Sequence, residues 1–393
     1  MDRTINISTI SLLIAIVSFG LPISYPFAIG DFVVIICISL LVLLSVVLAT
    51  NKKSNAYIRK DKDYKKVEFA FGMYGSWMIL AFLFGSIDLT SVIRLVQFAG
   101  CFSAFYLAAN YSFRNNHFAL AHNLIKISLL ICLIDWVTIG RPIYNYAFIF
   151  GNPNTFSSVL LCWFIVLSLR RKKKIIDILF GALILFFIFI STSRAALLSV
   201  LIYMLLVAIF RMIEGERGII RKEIVNMIFV VEAVVLIAFI VIYAGLLELD
   251  IGEKLQSFSQ LYFHKNFFSG RQLVWSSLLP FIKAKPILGY GLSTVPSAIV
   301  PNIHYSGHNT FFQIAIQMGI IGSILLLLII RNIICVCASN QTNYMRVNIM
   351  AFTFVILFHE CFEVCLTQNM MACGLIMWFV MGLGCNNSIR MDE

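Results

Sequence analysis

The chain has 393 residues, of which 60% are hydrophobic and 12% charged, and its mean hydropathy is +0.92. A soluble globule cannot hide that much apolar surface, so composition predicts an all-α polytopic membrane protein, a single integral membrane domain over 1–393. The formal charge of +11 does not point to nucleic acid, because no basic stretch sits in a folded soluble module.

Apolar windows fall at about 5–22, 31–50, 67–87, 90–110, 118–138, 154–169, 175–191, 195–212, 224–246, 309–331, 347–367 and 370–385, which predicts about twelve transmembrane helices. The first window lacks a basic n-region and a small-x-small cleavage site and is followed at once by a second, so it reads as a first span rather than a secretory signal. The ten cysteines lie mostly inside apolar runs and read as small buried hydrophobes.

Twenty-two of the 30 basic residues fall in one set of alternate loops or at the termini, from Arg3 through Lys52–Lys66, Arg170–Lys174 and Arg211–Lys222 to Arg390. The positive-inside rule makes that set cytoplasmic, with both termini on the same side, as an even number of spans requires. Arg94, Arg141, Arg194, Lys254, Lys265, Arg271, Lys283 and Lys285 then lie at the outer face. The one long outer loop, 247–308, carries Leu273, Val274, Leu278 and Phe281 at helical spacing, which predicts an amphipathic helix along the membrane surface.

Three outer helix starts have unusual chemistry. GNPNTFSS opens the sixth span, with Asn152 placed to cap and Pro153 at the first helical position. STSRAALL opens the eighth, with Thr192 or Ser193 as cap and Arg194 in the first turn. SGHNTFFQ opens the tenth, with Ser306 or Asn309 as cap and His308 at the end of the loop. An arginine at a helix N-terminus opposes the helix dipole unless an anion sits between them. Arg271, following a Ser269 cap at the start of the surface helix, raises the same question. Two guanidiniums suit a diphosphate, each gripping phosphate oxygens in bidentate fashion. Snorkelling to lipid phosphates is the bland alternative for Arg194, and capping or packing is the bland alternative for His308. As a neutral imidazole, His308 would be able to accept a hydroxyl proton.

The eleventh span holds His359, Glu360 and Glu363 in FHECFEVCL. The two carboxylates, three apart, would share a helix face and would pair with a basic residue such as Arg94, line a polar cavity, or help a hydroxyl lose its proton. The Gly-rich PILGYG turn reads as a bend returning the surface helix to the bundle. No GxxxxGK[ST] loop, HExxH or DxD-like outer pair occurs. Group transfer would therefore use an activated donor and neither metal nor cofactor.

GNPN, STSR at a helix start, SGRxxxW with KPILGYG, and GHNTFFQxxxxMGIIG follow in that order. This succession, over about residues 145–330, resembles the O-antigen ligase/polymerase superfamily. The resemblance implies a glycosyltransferase of lipopolysaccharide or other polysaccharide biosynthesis, in the bacterial inner membrane with its active site facing the periplasm. It would act on undecaprenyl-diphosphate-linked oligosaccharide donor and acceptor, and a chain-length regulator of a polysaccharide assembly complex is a further partner to expect. Arg194 and Arg271 match the arginines assigned to the diphosphate, and His308 the histidine assigned to the acceptor hydroxyl. Asn152, Asn154, Ser193, Asn309, Tyr290, Glu360, Glu363 and Arg94 are the accompanying candidates for substrate binding. The SGRxxxW form of the loop favours a polymerase over a ligase acting on lipid A–core. A lipid-linked oligosaccharide flippase is the alternative from another class, disfavoured because the intramembrane charges gather toward one face.

Overall fold

The computed structural model describes residues 10–27, 30–50, 62–111, 113, 115–138, 140, 143–170, 174–215, 220–246, 249–263, 266–268, 270–300, 306–340, 343–387 and 389. Arg3, Arg141, Lys265, the Ser269 cap, Arg390 and several basic loop residues lie outside them. The described elements are all helical: α1 (Ile10–Ser24), α2 (Gly30–Thr50), α3 (Lys62–Phe84), α4 (Leu89–Asn110), α5 (Ala119–Thr138), α6 (Pro153–Ser168), α7 (Ile175–Ile190), α8 (Arg194–Glu214), α9 (Lys222–Gly245), α10 (Asp250–Phe263), α11 (Arg271–Ala284), α12 (Pro296–Ile299), α13 (Thr310–Ser339), α14 (Arg346–Glu360) and α15 (Met371–Cys385). Each of the twelve apolar windows has its helix. Seven are long and apolar enough to cross a membrane, and four more are shorter apolar helices. Large apolar side chains such as Phe32, Leu83, Ile134 and Val234 stay exposed, as a bundle solvated by lipid requires.

The core is built on α4 against α15, α3 against α13 and α8 against α14. Polar pegs tie helices that apolar packing alone would let slide. The Trp163 indole donates to the Ser18 carbonyl (3.1 Å), and Tyr203 joins Ser168 to Asn348 (2.6 and 3.0 Å).

The surface helix forms as α11, with its buried face shifted from the sequence expectation. Val274, Trp275, Leu278 and Ile282 are buried, whereas Leu273 is 59% exposed. The reason is its seat: α11 packs onto α9 and α13 and joins a cluster with Ile240, Phe312 and Ile316, rather than lying free along a lipid surface. A second loop helix, α10, precedes it.

The PILGYG turn is more than a bend. It is spliced into a break in α13 at Gly319, whose φ of 72° and ψ of 177° leave the helix. A break inside a span strands backbone groups that lipid cannot satisfy. Here the turn supplies partners: Tyr290 N–H donates to Ile316 O (2.7 Å), Gly291 N–H to Gln317 O (3.1 Å), and Ile320 N–H to Pro286 O (2.8 Å). The Trp77 indole caps Met318 O at 2.8 Å. A Cβ on Gly319 would sit inside the Ile287 carbonyl. Gly319→Ala is therefore expected to destabilise the protein by about 3 kcal/mol or more, through both its positive φ and the clash. Gly245→Ala, where a Cβ meets nothing within 4 Å, should change the melting temperature in detergent little.

Candidate functional site

The chain enters α6, α8, α11 and α13 by a common device. A left-handed residue stands just before the cap at three starts: Gly151 (φ 65°), Thr192 (φ 59°) and His308 (φ 45°). At the fourth, Gly270 (φ 83°) is itself the cap. The other caps, Asn152, Ser193 and Asn309, are extended. Glycine takes this conformation freely, whereas Thr and His are held in it at a cost of about 1–3 kcal/mol each. The sharp entry hangs the residue before the cap at the lip of the helix.

These lips converge. Ser157 and Ser191 hydroxyls bond at 2.6 Å, joining the start of α6 to the turn before α8. His359, at the end of α14, lies between Ser158 of α6 and Ser199 of α8, at 3.3 Å from each. Asn309 caps α13 by accepting from the N–H groups of Phe311 and Phe312 (2.9 and 3.0 Å), and its amide donates to Cys361 O at 3.0 Å.

The centre of the arrangement is Glu363. Arg271 donates to its Oε1 at 2.7 Å, and His308 Nδ1 stands 3.9 Å from its Oε2. The two charged side chains are 14% and 13% exposed, and His308 is 32% exposed. A charge-assisted bond sheltered to that degree is stronger and less screened than a surface pair. Trp275 follows Arg271 by four residues and so shares its helix face. Its indole donates to Gly307 O at 2.9 Å and its ring stacks on Phe312 at 5.8 Å. The SGRxxxW spacing thus reaches His308 by two routes: arginine through Glu363, which faces the imidazole, and tryptophan through the backbone of the preceding glycine. The Arg271 guanidinium also lies 5.7 Å from the Phe362 ring.

Arg194, exposed at the start of α8, donates to Phe267 O at 3.3 Å. Phe267 is four residues before Arg271, a stretch of chain spanning at most about 14 Å. Both arginines therefore stand on one rim with His308.

Other candidates go elsewhere. Asn152 is occupied as a cap, accepting from Asn154 N–H at 2.8 Å, and Asn154 lies in the first turn of α6 beside it. Ser193 occupies the cap position of α8 without a side-chain capping bond. Tyr290 turns its hydroxyl to Phe281 O (3.3 Å), and Lys285 sits over its ring. Arg94 bonds Gln97 at 2.9 Å and faces no carboxylate within ion-pair range among the described residues. It lines a separate small cavity of about 30 Å³ with Gln317 and Gln368. Neither glutamate pairs with Arg94. They do not share a helix face either, because α14 stops at Glu360 rather than running to 367. The buried Glu360 carboxylate causes the stop: it accepts from Cys365 and Leu366 N–H (3.1 and 3.0 Å) and from the Thr310 hydroxyl, folding the chain back. That same turn lifts Glu363 off the helix and presents it to Arg271 and His308.

Beside this rim, α9, α11, α13 and α14 enclose an apolar cleft of about 290 Å³, walled by Leu236, Ile240, Ile282, Phe312, Leu327 and Cys361 among others. The site therefore combines a pair of guanidiniums, a carboxylate–imidazole pair and an adjoining apolar cleft. Sequence reasoning set Glu363 among several options and missed its double pairing, as it missed the Ser158–His359–Ser199 bridge.

Residues 179–327 match the family model described as O-antigen ligase, a segment that takes in Arg194, Arg271, Tyr290, His308, Asn309 and the break at Gly319. No curated protein matches the chain. Over residues 179–327 the chain thus carries a domain of the O-antigen ligase/polymerase superfamily, set within an apolar helical bundle.

Proposed function

We propose that the protein is an inverting glycosyltransferase that polymerises undecaprenyl-diphosphate-linked oligosaccharide repeat units at the periplasmic face of the inner membrane. The observation that carries this reading is the convergence of Arg271, Glu363 and His308 on one rim with Arg194, beside an apolar cleft suited to a prenyl tail. The donor's diphosphate would lie against the two guanidiniums, with its hydrocarbon in the cleft. Glu363, facing Nδ1 of His308, would keep the proton on that nitrogen and leave Nε2 as the base. Nε2 takes the proton from an acceptor sugar hydroxyl as that oxygen attacks the anomeric carbon. The bond from that carbon to the diphosphate oxygen breaks on the opposite side. Polyprenyl diphosphate leaves with the electron pair, its growing charge met by Arg194 and Arg271. One displacement inverts the anomeric carbon.

Glu363 offsets part of the positive charge that would attract the donor. That is reasonable if its role is to hold Arg271 and His308 in a fixed relation, since pre-set geometry contributes more to transfer than added ground-state affinity.

In proteoliposomes supplied with lipid-linked repeat units, Arg194→Ala and Arg271→Ala should each abolish chain lengthening while both variants still insert in the membrane. Ordinary activity in both would remove the anion site. His308→Ala should lower kcat by about 10²–10⁴-fold, measured as the rate of dimeric repeat formation. Transfer of glycan to added lipid A–core without lengthening would make the enzyme a ligase, and movement between leaflets without new bonds would make it a flippase.

A further inference from the structure

At the end of the bundle opposite this rim, the first turns of α3 and α9 meet the distal half of α13 around a polar pocket of about 240 Å³. Asp63 there is shared by two lysines, Lys66 at 3.1 Å and Lys222. Arg331 is held differently. Its Nε donates to Asn226 Oδ1 (2.6 Å) and one terminal nitrogen to Asn332 Oδ1 (3.4 Å), and Asn332 is fixed in turn by Lys66 O at 3.1 Å. Two neutral amides orient this guanidinium, and no carboxylate lies within ion-pair range of it among the described residues. Glu223 also lines the pocket, so three cations stand against two carboxylates. The partial positive charge of two helix N-termini adds to the cations.

The surroundings indicate what would fill the pocket. One turn further into α3, Phe69 is 67% exposed; one turn further into α9, Met227, Val230 and Val231 are 60%, 49% and 56% exposed. A cationic pocket at the headgroup level, with bare apolar side chains immediately deeper on the same helices, has the polarity profile of a phospholipid. A soluble phosphate ester would use only the upper part. The pocket also lies at the end where the basic loops gather, which the positive-inside rule makes cytoplasmic, the leaflet that carries acidic lipid at its surface.

We propose that this pocket binds the phosphate of an acidic phospholipid of the adjoining leaflet, with Arg331 as the principal contact and its acyl chains running down past Phe69, Val230 and Val231. The lipid would tie α3 and α9 to the distal half of α13, the helix whose other end carries His308. This assignment does not depend on the glycan chemistry.

The test uses the full-length protein, delipidated in uncharged detergent and titrated with phosphatidylglycerol or phosphatidylcholine of the same acyl chains, counting bound lipid by native mass spectrometry. Phosphatidylglycerol should bind preferentially and weaken as NaCl rises. Arg331→Gln, which keeps a side-chain N–H donor but removes the charge, should weaken it by about fivefold or more, and Arg331→Lys should retain most of it. Phosphatidylcholine should bind weakly and equally to all three proteins. Equal binding of the two lipids by the wild type, or unchanged phosphatidylglycerol affinity in Arg331→Gln, would overturn the proposal. So would displacement of the lipid by inorganic phosphate at equal concentration. Should Arg331→Gln fail to elute as a single species, the wild-type preference and its salt dependence decide the matter alone.

Discussion

The structure turns on one carboxylate. Glu363 meets Arg271 from a loop helix and His308 from the lip of α13, and it reaches both only because α14 ends at Glu360. A helix continued to residue 367 would carry Glu363 round with its own axis. Glu360 prevents this by drawing the backbone of Cys365 and Leu366 and the hydroxyl of Thr310 onto its buried carboxylate. Two acidic residues three apart thus divide the work. The first builds a turn, and the second uses that turn to assemble a site. Carboxylates in an apolar bundle are expensive, and each of these has charged or hydrogen-bonding partners that offset the cost.

A second constraint supports the first. His308 is fixed at the start of a helix that breaks about three turns later, at Gly319. The broken end would be free to tilt if the PILGYG turn did not occupy the gap with three backbone hydrogen bonds. The same turn follows α11 directly, so the element carrying Arg271 is tied to the helix bearing His308 at both ends: through Trp275 and Gly307 above, and through Tyr290 and Ile316 below. Arg271 and His308, 37 positions apart in sequence, are in this way set on one rigid support, as a site that must hold reacting groups in register requires.

Much of this was legible in the residues themselves. Hydropathy gave the helices in order, because lipid imposes a long, uninterrupted apolar signal on every span. The sign of Arg194 and Arg271 at helix starts called for a counter-charge, because the helix dipole makes that placement unfavourable without one, and for Arg271 the structure supplies Glu363. What remained hidden was long-range. Nothing local marks Glu363 as the partner of a residue 92 positions earlier. Nothing local distinguishes Asn309 as a cap bonded to Cys361 from an asparagine open to substrate. The glycines of PILGYG and MGIIG were each visible, but their meaning lies in the contact between them: only at that contact does the absence of a side chain matter. The buried face of α11 was misjudged by one residue because its partner is the flank of α9 and α13 and not a flat lipid surface.

In the proposed mechanism Glu363 acts on the reaction through His308. A double-mutant cycle on kcat for glycan transfer tests it most directly. Glu363→Gln alone should slow transfer by roughly 10²-fold, whereas adding it to His308→Ala should slow that enzyme little further, since groups that act as a unit lose their effects together. Losses that multiply, with the double variant slower than either parent by the product of the two single effects, would contradict the account.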